Sequence, residues 1–203
     1  AGTGAMSGAM GALGAMGPWG WASMAALAIL GSMGEGGGPQ SGQYGSIGAD
    51  GYKSSYTMSG GDSIGNESLA ALAYTQAQAL YQMAGKDASG IAIEQGYKLD
   101  PEGSASGLAY RTIKAGDRTI AGGTFDGNTG AQWYGANDDN KGAAGYLSKL
   151  ADSEILAIVE AIGDPTFSAT VAALAANFAD LNDGIAKYTV AQATQKQLDA
   201  AIA

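Results

Sequence analysis

The chain has 203 residues and a formal net charge of −9, with 34 glycines and neither cysteine nor histidine. Ten scattered Lys and Arg in an acidic chain exclude sequence-specific nucleic-acid binding as a surface property. The missing Cys and His exclude a disulfide framework, a Cys-based zinc site and a Ser-His-Asp triad.

Much of the apolar fraction is alanine, which buries little area against the backbone entropy that folding removes. The composition therefore predicts a fold that leans on neighbouring chains. Overall the sequence reads as mainly α with a small antiparallel β hairpin or meander, preceded by Gly/Ala-rich hydrophobic helices that depend on oligomerisation. The first residue is Ala, which is the expectation for a C-terminal fragment of something longer.

Residues 1–34 form the first segment, and the first ionised side chain is Glu35. Gly8, Gly11, Gly14, Gly17 and Gly20 recur every third residue, and a denser apolar run follows from Trp21 through Leu27, Ile29 and Leu30 to Met33. Three readings of this period stay open. One is a short collagen-like stretch. The second is a membrane helix with small residues at its interface. The third is two helices broken at Gly17-Pro18-Trp19-Gly20, where Pro18 removes a helical hydrogen bond and can start the second helix. Together the two runs are long enough for a helical hairpin in a bilayer, with Trp19 and Trp21 suited to the membrane interface. Burial inside an oligomer serves the same residues equally well. The candidate membrane or oligomer interface is Gly8, Gly11, Gly14, Pro18, Trp19, Trp21, Leu27, Ile29 and Leu30.

Residues 35–65 read as a Gly/Ser/Tyr linker whose Tyr44, Tyr52 and Tyr56 pack on a neighbour. Residues 66–145 read as a helix followed by a small β module. Leu69, Leu72, Leu80 and Met83 recur at helical intervals over 66–84, with Gly85 as the stop. Residues 90–98 alternate, with Ile91, Ile93 and Tyr97 on one face and Glu94 and Lys98 on the other. Strands are also expected over 108–114 and 118–125, and a loop over 128–141.

Residues 146–203 read as helical. One apolar stripe runs from Tyr146 to Ile162 and ends at Gly163. Asp164-Pro165 supplies an N-cap and a Pro at the first helical position, opening a helix to about Asp183 that Gly184 ends or bends. Thr189 and Gln192 stand at capping-box spacing before a last helix.

Chemistry is sparse. Asp126-Gly127-Asn128-Thr129-Gly130 begins like a calcium loop, but Asn137 stands where the bidentate Glu belongs, so no metal is expected. No Walker loop, nucleophile elbow or CxxC is present. Glu94, Glu102, Glu154 and Glu160 are no more carboxylates than any acidic protein offers. The expectation is a non-enzymatic protein without cofactor.

The order of these features, an uncharged Gly/Ala/Met run carrying Gly17-Pro18-Trp19-Gly20, then a polar β segment, then Ala-rich helices, resembles the C-terminal part of tail tape measure proteins of long-tailed bacteriophages. The resemblance spans the chain and is compositional. It implies a structural virion protein in the tail lumen and tip. It further implies a homo-oligomer, a trimer by preference, beside other tail-tip or baseplate hub proteins. On ejection the hydrophobic segment would enter the host membrane and assist DNA passage through the envelope. Two other readings remain: a free, bacteriocin-like pore former and a cell-surface or fibre module.

Overall fold

The computed structural model describes residue 19 and residues 41–57, 63–99, 108–126, 146–147 and 149–202. Among them lie five strands and four helices. These are β1 (Ser41–Gly48), β2 (Gly51–Thr57), α1 (Ser63–Met83), β3 (Ile91–Leu99), β4 (Leu108–Ala115), β5 (Arg118–Asp126), α2 (Asp152–Ile162), α3 (Pro165–Asn177) and α4 (Leu181–Ile202). The fold is mixed α/β, which corrects the mainly α expectation. The strands form one antiparallel sheet in the order β2-β1-β3-β4-β5.

The segment read as a linker accounts for the difference. Residues 41–57 are a hairpin, and β1 lies inside the sheet, hydrogen-bonded to β2 on one side and β3 on the other. Pairing on both edges offsets the low strand propensity of its glycines. The two tight hairpin turns rest on glycine. Gly51, at φ +87°, closes β1 onto β2, and Gly116, at φ +60°, closes β4 onto β5. Each outer pairing carries a register shift. Ser55 is the extra residue in β2 and Ile120 the extra residue in β5.

The three strands expected between residues 90 and 125 are present, and α1 covers the helix expected over 66–84. Gly85, at φ +66°, follows α1 as anticipated. α1 packs across β1, β2 and β3 through Ala70, Ala73, Ala77 and Leu80, all buried. Alanine at three of these positions lets the helix axis approach the sheet closely. Beneath it lie Ile47, Ile91, Ile93 and Ile113, which come from three neighbouring strands and share one sheet face. α2 adds Ile155, Ile158 and Val159 to this core, and α3 and α4 add Phe167, Val171, Leu181 and Ile185.

The C-terminal helices depart from the sequence pattern in two places. The stripe from Tyr146 to Ile162 is not one helix. Tyr146 and Leu147 are helical, but α2 starts only at Asp152. The carbonyls of Tyr146, Leu147 and Lys149 accept from the Arg111 guanidinium and are not free for helical partners. The helix opened by Asp164 and Pro165 is present, with Asp164 Oδ1 accepting from the Phe167 amide at 2.8 Å. It stops at Asn177 rather than near Asp183, because Phe178 is extended (φ −125°, ψ 137°).

α4 then begins at Leu181 and runs without interruption to Ile202. Asp180 caps it: its Oδ1 accepts from the Asn182 amide at 2.9 Å, and its carbonyl accepts from Gly184 at 3.2 Å. Gly184 therefore lies within a helix and does not end one. Thr189 does not cap a new helix, since its hydroxyl donates back to the Ile185 carbonyl at 2.9 Å.

Candidate functional site

Alternation on β4 places Ala109, Arg111 and Ile113 on the face that the helices cover, and Tyr110, Thr112 and Lys114 on the opposite face. Both faces carry polar groups.

On the inner face one set centres on Arg111, which has no exposed surface. Its Nε and Nη2 donate to the two carboxylate oxygens of Glu154 at 2.9 and 2.8 Å. Its Nη1 donates to Leu147 O at 3.1 Å, and Nη2 donates also to Tyr146 O at 2.7 Å and Lys149 O at 2.9 Å. The Tyr146 ring lies against the guanidinium, 4.6 Å from its centroid to the central carbon. Glu154 also accepts from the Ala151 amide at 2.8 Å and so closes the first turn of α2. A bidentate carboxylate, three carbonyls and a ring compensate the desolvated cation.

A second buried set joins distant helices. Gln76 of α1 donates to Asn182 Oδ1 at 3.3 Å and accepts from the Leu150 amide at 2.8 Å. Asn182 in turn donates to Leu150 O at 2.8 Å. Toward the start of α1, the Asn66 side chain donates to the hydroxyl of Tyr52 on β2 at 2.8 Å. Both amide atoms of Gln95 and the Asn66 Oδ1 are buried without a hydrogen-bond partner among the described residues.

The outer face carries Tyr44, Glu94, Tyr110 and Lys114. In register, Gly96 stands between Tyr44 and Tyr110. With no side chain in that gap, the two rings meet at 5.1 Å, tilted by 32°. Glu94 accepts from the Tyr44 hydroxyl at 3.3 Å and from Lys114 at 2.6 Å. Burial and the neighbouring Glu94 charge push the Tyr44 phenol up. Burial, with the charges of Tyr44 and Glu94, pushes Tyr110 up further. The hydrogen bond and charge of Glu94 raise Lys114. The phenols stay protonated and the ammonium stays charged. The cluster therefore offers ring surface and hydrogen bonds, not a proton-transfer pair near neutral pH.

A shallow cleft of about 300 Å³ lies between the start of β5 and the outer side of α2, lined by Arg118, Thr119, Ile120, Ala157, Glu160 and Ala161. Among the described residues there is no metal-binding group of carboxylates, and no helix is long and apolar enough to cross a membrane.

Of the nine residues expected at a membrane or oligomer interface, Trp19 is described. It is 4% exposed and belongs to the core of its own chain. Gly8, Gly11, Gly14, Pro18, Trp21, Leu27, Ile29 and Leu30 lie outside the described residues, as does the body of the calcium-like loop after Asp126. Sequence reasoning missed Arg111 and Gln95. The signal was available: both occupy the apolar phase of strands whose alternation is otherwise clear. An arginine in that phase requires a buried anion.

No protein-family model, curated protein or solved structure matches the chain.

Proposed function

We propose that this chain is a structural, non-enzymatic part of a larger assembly: the C-terminal portion of a tape measure protein in the tail tip of a long-tailed bacteriophage. The observation that carries the structural reading is the Arg111–Glu154 clamp. This constellation is sealed from solvent, hydrogen-bonded through all three guanidinium nitrogens, and joins β4 to the 146–154 segment. In this clamp charge holds segments together, and neither Arg111 nor Glu154 lines the cleft between β5 and α2.

The phage assignment rests on the order of segments, with an uncharged run before Glu35 ahead of the folded module. In this role residues 1–34 pack against protein in the particle and enter the host membrane on ejection, assisting DNA passage. The adaptable Met side chains of that run suit either surrounding. The folded module sits among hub proteins as a homo-oligomer, a trimer by preference.

Mass spectrometry of purified, dissociated tails tests the reading. Peptides from residues 146–203 should be recovered from tail tips, and their absence from purified virions would end the phage assignment.

A further inference from the structure

Gln95 and Asn66 leave polar atoms unmatched inside the fold. Both residues are 0% exposed. Gln95 stands on the helix-covered face of β3, in register between Gly45 of β1 and Arg111 of β4. Asn66 reaches it from the start of α1, where its Nδ2 donates to the Gln95 carbonyl at 3.4 Å and to the Tyr52 hydroxyl at 2.8 Å. A carbonyl can only accept, so the nitrogen end of the Asn66 amide must face it and Oδ1 must point elsewhere. Asn66 Oδ1 and both ends of the Gln95 amide have no hydrogen-bond partner among the described residues.

The side chains on either side are committed elsewhere. Arg111 donates to Glu154 and to the carbonyls of Tyr146, Leu147 and Lys149. The Tyr52 hydroxyl occupies the place that a Gly45 side chain would take, and it accepts from Asn66. Buried amide atoms are costly without partners, and folded proteins supply them from protein or from ordered water. The three atoms here call for both kinds of partner, since Gln95 Nε2 donates while Gln95 Oε1 and Asn66 Oδ1 accept. A cation would serve the two oxygens alone, and it would lie one register position from the Arg111 guanidinium. An anion would serve Nε2 alone and face two amide oxygens. A small neutral molecule that both donates and accepts meets all three, and water is the smallest.

We propose that Gln95 and Asn66 form an internal water site between β3 and the start of α1. Water held there donates to Asn66 Oδ1 and Gln95 Oε1 and accepts from Gln95 Nε2. It completes the polar tie between helix and sheet that the Asn66 bond to the Gln95 carbonyl begins. It also accounts for a glutamine in a strand phase otherwise filled by Ile91 and Ile93. The site is independent of the assembly role: absence of the chain from virions would end the phage assignment and leave it untouched.

NMR of the nitrogen-15-labelled full chain tests it. The side-chain amide protons of Gln95 should show cross-relaxation with water, carrying the sign of water held for as long as the protein tumbles. Tyr52→Phe removes a neighbouring hydroxyl whose proton exchange could relay such a signal, and the Gln95 cross-peak should survive that change. Gln95→Met supplies a second readout, because it keeps the length of the side chain and removes its polar atoms. With water in place, the substitution takes away two of the three partners, and the thermal midpoint should fall by about 2–4 °C. If the site were dry, the same substitution would relieve two buried unpartnered atoms and the midpoint should rise. Absence of the water cross-peak in the wild type would overturn the proposal. So would its loss in Tyr52→Phe, or a midpoint of Gln95→Met that is unchanged or raised.

Discussion

Arg111 and Glu154, 43 residues apart, face each other as a two-point ion pair with side chains 0% and 6% exposed. Removing one partner of such a pair strands the other as an uncompensated buried charge, at a cost of about 3–5 kcal/mol. Glu154→Ala should therefore lower unfolding free energy by that order in urea titrations. Replacing both residues, as in Arg111→Met with Glu154→Leu, should cost less than the single change, because no buried charge remains. A double variant as unstable as Glu154→Ala would show that the three carbonyls, not the carboxylate, dominate the clamp.

At the corner between α3 and α4 the Phe178 ring lies on Gly184. A Cβ at Gly184 would meet Phe178 Cδ2 at 2.8 Å, Cγ at 3.0 Å and Cβ at 3.2 Å. The crowding reaches the root of the ring, so rotating its tip gives no relief. Gly184→Ala gains about 1 kcal/mol of helix propensity but overpacks at a cost of about 1–3 kcal/mol, and should be net destabilising. In a Phe178→Ala background the same substitution should become stabilising. Thermal unfolding of the four proteins in this cycle measures the change of sign.

Two aspartates near the start of α4 titrate in opposite directions. Burial raises Asp152, although it accepts from the Leu181 amide. Burial also opposes ionisation of Asp180, but its bonds to Lys149 and Asn182 prevail and hold it below its ordinary 3.8. Asp180 thus contributes stability that is present above about pH 4 and is lost as pH falls through its lower folded value. Asp152 does the reverse, losing stability as pH rises from 3.8 through its raised folded value. Asp180→Asn should destabilise the protein at pH 7 and flatten its acid limb. Asp152→Asn, which keeps an acceptor for Leu181, should be neutral or stabilising at pH 7. Urea unfolding at pH 7 and near pH 3 separates the two.

The outer tyrosines give a spectroscopic check. Glu94→Gln removes the charge that helps hold the Tyr44 proton, so Tyr44 should titrate closer to its ordinary 10.0. Tyr110 should move down less, because Glu94 acts on it by charge alone and ranks behind burial and Tyr44, whereas Tyr44 also donates a hydrogen bond to Glu94. Alkaline absorbance titration of Glu94→Gln, with and without Tyr110→Phe, resolves the two phenols. An unchanged titration would mean that Glu94 does not govern Tyr44 in solution.

The parts of the fold that were legible in the sequence share a local cause. Alternation of Ile91 and Ile93 against Glu94, the helical spacing of Leu69 and Leu80, the Asp164-Pro165 start and the Gly85 and Gly163 stops are each written within a few residues. β1 and β2 were hidden because their glycines and serines resemble a spacer, and what makes them strands is pairing, β1 with β3 and β2 with β1. Asp50-Gly51, flanked by Ile47 and Tyr52, was the hairpin signal within reach. The break at Phe178 was masked for a related reason. Phe178 and Leu181 suit a continuous stripe, and only the cap supplied by Asp180 and the amide accepted by Asp152 show that a new helix begins. Of the polar constellations, Arg111 could have been flagged from its strand phase. Its partner Glu154 could not, since nothing local distinguishes it from the other glutamates.

Both irregular pairings of the sheet place their surplus residue on the rim, Ser55 at one edge and Ile120 at the other. A bulged rim is twisted and out of step for templating a further strand. Copies crowded side by side would therefore resist zipping their sheets into a fibre.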